Sequence, residues 1–478
     1  MWAKKSIAQL QDEAGDGEKG LKRTLTATSL VALGIGAIIG AGLFVRTAAA
    51  AADHAGPAVT LSFVLAAFGC ALAGLCYAEF ASIVPIAGSA YTYSYATMGE
   101  LVAWIIGWDL VLEYALGAAT VAIAWSEYLN NLLAYFGTHI PYAWCHAPSQ
   151  ISAQGEHGIL NLPALFILLL LSLVLMRGTR ESARFNAIIV VVKVVIVLLF
   201  IGLGWQFVQP ANHQPFIPAN TGTFGSFGWS GIVAGAGVVF FAFIGFDAVS
   251  TAAQEAKNPK RDMPIGILVS LGVCTVLYIL FGYVLTGVAN YQEFQGPGKE
   301  ASVAYVIRTY MSQYAWLELF ITIAILAGFS SVILVMLLGQ SRVFYSMSRD
   351  GLVPAVFSDL HPKFHTPYKS NFLFFLFVGV FAAVVPGDVV GDMTSIGTLF
   401  AFVLVCAGIL VLRKTDPGLH RPFKTPLVPF VPILGILVCL FMIYGLGIHN
   451  WMRLIVWMGL GLVIYFAYGR GRSKLKSK

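Results

Sequence analysis

Charged side chains are scarce in this sequence. Of its 478 residues only 11% are Asp, Glu, Lys or Arg, whereas 58% are apolar and the mean hydropathy is +0.79. Soluble domains carry about 25% charged and about 45–50% apolar residues. So many apolar side chains do not fit inside one soluble core. The composition therefore excludes an ordinary soluble protein and indicates an all-α, polytopic membrane protein.

Motifs that would indicate an enzyme are also missing. The sequence has no HxxxxD acyltransferase motif and no GxxxxGK[ST] loop, since its one Gly-Lys pair, Gly298-Lys299, is followed by Glu300. No His, Cys and Asp residues are spaced as metal ligands. We therefore expect no catalytic residue, no metal and no cofactor.

Cysteines outside the apolar segments are scarce as well. Five of the six cysteines fall in predicted spans and only Cys145 lies in a predicted outer loop, so we expect no structural disulfide. The net charge of +6 is attributed to the inner-leaflet bias of a membrane protein, and no nucleic-acid partner is expected.

Apolar windows of about 20 residues predict twelve membrane spans. Residues 1–26 are polar and of mixed charge, which is typical of a cytoplasmic tail and not of a signal peptide. The spans are predicted to begin near Ala27, Pro57, Met98, Leu160, Phe185, Trp229, Ile265, Leu317, Asn371, Met393, Leu427 and Trp451.

The distribution of basic residues supports this count. With the amino terminus inside, all but five of the 29 Lys and Arg residues fall on the cytoplasmic side, including the basic carboxy-terminal segment 470–478. Cytoplasmic loops carry such an excess. Both termini are therefore predicted to be cytoplasmic, in a protein of the cell (plasma or inner) membrane. The five exceptions are Arg46, Lys299, Arg308 and Arg453 outside and Lys193 within a span.

A weak internal repeat divides the chain. The first span reads IGAGLFVRTAAAA from Ile39 and the sixth reads IGFDAVSTAAQEA from Ile244. If these spans correspond, five-span units cover residues 27–208 and 229–412, and spans eleven and twelve (427–469) follow. Because each unit has an odd number of spans, the two units have opposite orientations, as in many secondary transporters.

The stretch GIGAIIGAGLF, residues 34–44, weakens the first span with four glycines. Each glycine inside a helix costs roughly 0.5–1 kcal/mol relative to alanine. Gly36 and Gly40 have the GxxxG spacing of helix packing. Gly40-Ala41-Gly42 adds a second close pair, which favours a broken helix whose freed N–H and C=O groups bind a zwitterion.

Three acids lie at membrane depth. Asp247 follows the glycine-rich part of span six, where an acid costs roughly 2.5–3.5 kcal/mol to insert. It is predicted either to serve a functional site or to cap a helix or pair with a cation at the inner vestibule. Glu113 is predicted to face the cavity or a lipid cleft, and Glu79 to cap the inner end of span two.

Lys193 stands near the middle of span five, in VVVKVVIVLLF. Its side chain, about 6 Å long, reaches poorly from there to either interface of a core about 30 Å thick. The structural alternative is a buried partner. Burial disfavours a charged amine, so a lysine at this depth is able to exchange a proton near neutrality.

Several motifs resemble one family. Besides GIGAIIGAGLF, these are Tyr77-Ala78-Glu79 with VPIAGSAYTYSY (Val84–Tyr95), FFAFIGFDAVST with NPKRDMPIGI, RDGLVPAVF and Arg421-Pro422-Phe423. Together they resemble the amino acid–polyamine–organocation (APC) superfamily, and Asp247 is most similar to its cationic amino acid transporter branch. The resemblance covers nearly the whole chain. It implies a leucine-transporter-type fold with a 5+5 inverted repeat and discontinuous spans one and six.

The resemblance also implies a substrate site at the two helix breaks, Gly40 and Gly245. The substrate carboxylate would meet N–H groups near Ala41 and Gly42, and its ammonium would meet carbonyls. Phe241 would cover the substrate and Met336 would line the side-chain pocket. The implied carbonyls belong to Ile38, Phe241, Ala242 and Ile244.

Two residues depart from the family pattern. Ala41 replaces a Ser or Thr and Gln254 replaces a glutamate that is usual in the cationic branch. Asp247 therefore favours Arg, Lys or ornithine as the substrate, whereas Met336, Ala41 and Gln254 favour small neutral amino acids. The choice between them stays open.

The resemblance further implies that the Lys193 ammonium fills the place of a cation between spans one and eight. Ser330 and Ser331 of span eight would then line the same place. The predicted function is secondary active uptake of L-amino acids by proton symport through Lys193. The alternative is an amino acid or polyamine exchanger. The expected partners are the amino acid, protons and membrane lipids, and a small accessory membrane subunit stays open.

Overall fold

The computed structural model describes residues 4–5, 25–83, 89–152, 154–177, 183–251, 253, 256–296, 301–364 and 366–474. Across these ranges the chain is helical, and its strand-like pairings are two isolated bridges, Leu25 with Ala256 and Ile151 with His157. Most of the tail 1–26, residues 84–88 of the Val84–Tyr95 motif, and Gln254 lie outside the described residues.

In the described part of the first half, the chain forms seven helices. They are α1 (Ala27–Ile38), α2 (residues 42–55), α3 (Val59–Ile83), α4 (Ser89–Thr97), α5 (Glu100–Tyr135), α6 (Leu162–Arg177) and α7 (Ala183–Gly204). Two of them contain π-helical turns, which lie at Gly42–Arg46 and Ala51–Ala55 in α2 and at Val111–Leu116 in α5.

The described part of the second half contains nine more α-helices of four residues or more. They are α8 (Gly228–Phe240), α9 (Ala248–Thr251), α10 (Pro259–Val288), α11 (Ser302–Tyr310), α12 (Ala315–Arg349), α13 (Tyr368–Val384), α14 (Gly387–Thr415), α15 (Phe430–Gly445) and α16 (Ile448–Ile464). Each of the twelve predicted span starts lies within six residues of a helix start.

The helices have the length and composition of a multi-pass membrane protein. Within the described residues, seven continuous helices are long and apolar enough to cross a membrane, and five further apolar helices are shorter. Large apolar side chains on α7, α13 and α16 point outward, among them Ile188, Val380 and Val456. An apolar exterior of this kind suits contact with lipid chains and not with water.

The interior is built around α10 and α12. Helix α10 packs against α1 and α3, while α12 packs against α5 and α7, and α14 lies against α5 and α15. Glycines let the backbones approach closely: a Cβ on Gly266 of α10 would lie 2.8 Å from Leu30 of α1. These contacts hold the short helices α1 and α8 in the centre of the protein.

Two helices in this centre are interrupted. Helix α1 ends at Ile38, Ile39 is extended (φ −71°, ψ 107°), and helical structure resumes at α2. Helix α8 runs into a 3₁₀ turn, Phe241–Phe243, and then Ile244 is extended (φ −60°, ψ 135°). Gly245 follows with φ +110°, a conformation that glycine adopts readily because it has no Cβ. The extended residues Ile39 and Ile244 thus directly precede Gly40 and Gly245.

Candidate functional site

The two interruptions touch each other. A Cβ on Gly42 would overlap the backbone of Ala242, and a Cβ on Gly245 would lie 2.9 Å from the carbonyl oxygen of Ala37. Each break thus rests on the helix that leads into the other. The predicted break residue Gly40 has a packing role as well, because its Cβ position faces Val332 of α12 at 3.3 Å.

Carbonyl oxygens from both breaks converge on one hydroxyl. The Tyr278 hydroxyl of α10 lies 3.0 Å from the Ile38 oxygen and 2.9 Å from the Ala242 oxygen. The Phe241 oxygen accepts the Ile244 N–H at 3.3 Å within the 3₁₀ turn. Two of the carbonyls expected to meet an ammonium, those of Ile38 and Ala242, are therefore brought together.

The start of α2 supplies backbone donors on the other side of the first break. The first N–H groups of a helix have no intrahelical acceptor. Ala41 and Gly42 occupy this position, and both are fully buried. Because a helix start attracts negative charge, this end of α2 suits a carboxylate.

Lys193 is buried against the first break. Its Nζ donates to the carbonyl oxygens of Gly36 at 2.7 Å and Ile39 at 3.1 Å, and its side chain is only 3% exposed. The carbonyls that end α1 carry the negative end of the helix dipole, so they stabilise an ammonium. These two carbonyl groups are the buried partner that the sequence indicated as the structural alternative for Lys193.

The neighbour of Lys193 on α12 is Gly328. A Cβ on Gly328 would lie 2.8 Å from the Lys193 Cε. The Ser330 hydroxyl donates to the Leu326 carbonyl of its own helix at 2.9 Å, since Ser in a helix commonly bonds back to residue i−4. Ser331 is buried on the same helix. The role of these two serines beside Lys193 stays a prediction.

Met336 lies between three helices. A Cβ on Gly117 of α5 would lie 2.9 Å from the Met336 sulfur and 3.5 Å from the Thr394 methyl group of α14. The side chain is 5% exposed. Phe241, the predicted cover of the substrate, is buried at the start of the 3₁₀ turn.

The two predicted acids Asp247 and Glu113 lie together. The Tyr114 hydroxyl donates to Asp247 Oδ2 at 2.7 Å, and Glu113 lies against Asp247 and Thr398. Asp109, one turn before Glu113 on α5, is likewise fully buried. Glu113 therefore faces the protein interior and not a lipid cleft.

Glu79 has a structural position. Its carboxylate receives two hydrogen bonds from Arg413, at 2.8 and 3.0 Å, and lies 3.2 Å from Arg421 Nε. The Thr425 N–H adds a third bond at 2.7 Å. Glu79 thus joins the end of α3 to the end of α14 and to the following segment.

A second ion pair lies on α2, the helix that follows the first break. Arg46, the last residue of the π turn in α2, pairs with Asp392 of α14, and Asn450 of α16 donates to the other Asp392 oxygen at 3.2 Å. Arg46 is 4% exposed. This contact ties α2 to α14 and α16.

A short amphipathic helix, α11, covers the same end of α2. Ser302 donates to the Phe44 carbonyl at 2.9 Å, and Gln295 donates to the Ala52 carbonyl at 2.7 Å. Tyr305 and Tyr310 both donate to Glu293, at 2.8 and 2.6 Å. Burial and the Glu293 carboxylate raise the pKa of Tyr310 to about 12.

Three residues of this centre were missed from the sequence. Tyr278 has no local signal, because its role depends on where α10 crosses both breaks. Gly328 lies two residues before Ser330, the first of the two serines that were predicted. Asp109 precedes Glu113 by four residues, a spacing that places both on one helix face and was available as a signal.

A protein-family model and several transporters are similar to this chain. A protein-family model described as amino acid permease matches residues 25–465. The chain is 47% identical over 475 residues to the branched-chain amino acid permease BcaP of Bacillus subtilis (strain 168), with 99% of each chain covered. It is 42% identical over 479 residues to the methylthioribose transporter of the same organism, again with 99% of each covered. It is 35% identical over 407 residues to cationic amino acid transporter 4 of Homo sapiens, covering 84% of this chain and 61% of that protein.

Proposed function

Because the chain belongs to the amino acid permease family of the APC superfamily, it is a multi-pass membrane transporter and not an enzyme, and we propose that it takes up L-amino acids by proton symport. The mechanism is alternating access, in which one site between two interrupted helices opens to either side in turn. The twelve-span, leucine-transporter-type arrangement, with units at 27–208 and 229–412, belongs to this proposal. So do the appended helices in 427–469 and the cytoplasmic termini.

One observation carries the proposal: the two interrupted helices meet at their breaks. Gly42 rests on Ala242 and Gly245 on Ala37. Interrupted helices at membrane depth expose backbone N–H and C=O groups, which is tolerated only where protein or a cavity surrounds them. A zwitterion has both charges that these groups recognise.

Within this site the backbone recognises the two charged groups that all amino acids share. The substrate carboxylate binds the N–H groups of Ala41 and Gly42 at the start of α2. The ammonium binds the carbonyls at the end of α1 and the end of α8, those of Ile38, Ala242 and Ile244. The proximity of the Ile38 and Ala242 oxygens to one Tyr278 hydroxyl supports this assignment.

Side-chain selectivity follows from Met336 and Phe241. Both are apolar and buried, and the Met336 sulfur lies beside Gly117. We infer that the substrate is a neutral aliphatic amino acid, with branched-chain amino acids as the first candidates. The similarity to the branched-chain amino acid permease of Bacillus subtilis, at 47% identity, supports this choice.

Coupling to protons rests on Lys193. An ammonium at this position bonds the Gly36 and Ile39 carbonyls and stabilises the first break, whereas a neutral amine has one proton fewer to donate. Binding and release of one proton therefore alter the geometry of the substrate site. A strict exchanger, the alternative function, needs no such titrating group beside the break.

The test uses purified protein in two assays. Tight ligands raise the melting temperature by mass action, so a screen of the twenty amino acids together with methylthioribose identifies the substrate class. Stabilisation by leucine, isoleucine, valine or alanine is expected. Stabilisation by methylthioribose alone would assign the chain to the activity named for its relative at 42% identity.

Proteoliposomes then separate symport from exchange. Uptake of the stabilising amino acid into empty vesicles, driven by an inward proton gradient, is the expected result. Uptake that requires preloaded internal amino acid and ignores the gradient would establish exchange instead.

A further inference from the structure

Three buried carboxyl groups form a row that the proposed mechanism does not use. Asp109 and Glu113 lie one turn apart on α5, and Glu113 lies against Asp247, which follows the second break. All three side chains are fully buried. None of the four oxygens of Asp109 and Glu113 makes a well-formed hydrogen bond within the described residues, and no Lys or Arg there forms an ion pair with either.

The surroundings of the row are polar but uncharged. Tyr114 donates to Asp247, and Thr398 of α14 lies beside Glu113. Tyr77 of α3 interacts electrostatically with both Asp247 and Glu113, and its fully buried hydroxyl has no hydrogen-bond partner within the described residues. The remaining titratable groups that face the row are Tyr93 of α4 and, beside Tyr77, Cys406 of α14.

Adjacent carboxylates without a cation do not both stay ionised in a low-dielectric interior, because each disfavours the charge of the other. A proton on Glu113 removes this repulsion and creates a donor. Asp247 then accepts from two sides, from Tyr114 and from Glu113, which spreads its single charge over both oxygens. The geometry thus favours a proton on Glu113 and a charge on Asp247.

Space at the row suits a proton better than a larger cation. On one side a Cβ on Gly117, one turn after Glu113, would lie 2.9 Å from the Met336 sulfur and 3.5 Å from the methyl group of Thr394, one turn before Thr398. On the other side a Cβ on Gly397 would lie 3.3 Å from Asp109 Oδ1 and 2.7 Å from the Leu112 Cβ. Asp109 is the next acceptor toward the start of α5.

We propose that Glu113, Asp247 and Asp109 form a second proton-binding site, which within the described part of the chain shares no contacting residue with Lys193. Glu113 holds the proton and donates it to Asp247 while the site is closed. When the inner half of the protein opens, water reaches the row and Glu113 releases its proton by way of Asp109 toward the start of α5. This inference rests on the proposed transport function and on the proposed cytoplasmic location of the start of α5.

Infrared spectroscopy of the purified full-length protein tests the proposal directly. The wild type is expected to show a C=O band of a buried protonated carboxyl that persists at neutral pH and shifts in D₂O. Glu113→Gln is expected to lose this band, and Asp388→Asn, which removes an exposed carboxyl at the start of α14, is expected to retain it. An unchanged band in Glu113→Gln, or no band in the wild type, would overturn the proposal.

Tyr114→Phe provides a variant that keeps every carboxyl. Without the Tyr114 donor, Asp247 becomes a stronger acceptor for the Glu113 proton, so the band should shift to lower frequency. An unshifted band would contradict the shared proton even if Glu113→Gln does not fold. Substrate stabilisation and counterflow are measured on the same wild-type sample, and their absence would refute transport while leaving the infrared result intact.

Discussion

The backbone of Gly42 rests directly on the backbone of Ala242, at the point where both of their helices are interrupted. No side chain separates the two backbone segments there. The contact therefore depends on the absence of a Cβ, and any movement of one break displaces the other. This relationship gives the sharpest test of the substrate site.

Gly42→Ala should greatly weaken substrate binding. The added methyl group would overlap Ala242. Accommodating such a group costs about 1–3 kcal/mol, or roughly 5- to 150-fold in affinity. Substrate-induced stabilisation is the measurement. Gly74→Ala is the matched control, because its Cβ would meet Leu271 at an ordinary 3.5 Å. Helix propensity alone favours alanine at both positions, so equal behaviour of the two variants would refute the close contact.

Lys193→Ala should leave a folded protein that no longer accumulates substrate against its gradient. The Gly36 and Ile39 carbonyls lose their donor, but counterflow at equal pH needs no net proton movement. Uptake at several external pH values, beside counterflow, provides the measurement. Uphill, pH-dependent uptake at the wild-type rate would exclude Lys193 as the coupling group.

Gly328→Ala should impair coupling with Lys193 still present. Its Cβ would lie 2.8 Å from the Lys193 Cε, so the ammonium must move from its two carbonyl acceptors. We expect a shifted pH profile of uptake with counterflow retained. Gly272→Ala on α10 serves as the control, since no atom lies within 4 Å of its Cβ position. A pH profile identical in both variants would contradict this positioning role.

Met336→Ser should admit longer side chains, including that of arginine. Serine leaves unfilled the space beside Gly117 that the thioether occupies. Competition of each amino acid against the wild-type substrate measures the change. Met347→Ser removes a buried methionine from the same helix, where it packs against Gly107. Selectivity that changes equally in both variants would count against a pocket role for Met336.

Tyr310→Phe should destabilise α11 and reduce the alkaline sensitivity of the protein. The bond to the Glu293 carboxylate contributes about 1.5 kcal/mol. The folded pKa of about 12 exceeds the ordinary value of about 10, so this stability is present below pH 10 and is lost as the pH rises toward 12. Denaturation at pH 8 and pH 11 measures it. Tyr314→Phe, whose hydroxyl accepts from Gln206, should keep the wild-type pH dependence.

The helices and the two breaks were predictable because both leave local signals. Apolar runs mark the helices, and Gly40-Ala41-Gly42 and Gly245 mark positions where a helix is weakened. The role of Gly42 was only partly predictable. Its residue type suggested a backbone open to a ligand, whereas its contact with Ala242 depends on a chain segment 200 positions away.

The surroundings of Lys193 show the same limit. Its position in an apolar run predicted a buried partner, but carbonyl acceptors have no sequence signature. The family resemblance implied the serines at 330 and 331, and their place beside Lys193 stays a prediction. The contact that the structure shows on α12 is with Gly328, which has no side chain and so leaves space for the long lysine stem.

The bonding of Lys193 to uncharged carbonyl oxygens has an electrical consequence. Within the described part of the chain no carboxylate contacts its ammonium, so binding one proton there adds one full charge inside the membrane. An amino acid zwitterion adds no net charge. Each proton that Lys193 carries through an uptake cycle would then move one positive charge inward, and the membrane potential would drive that charge with about 2.3 kcal/mol per 100 mV. Accumulation should therefore respond to voltage as well as to pH.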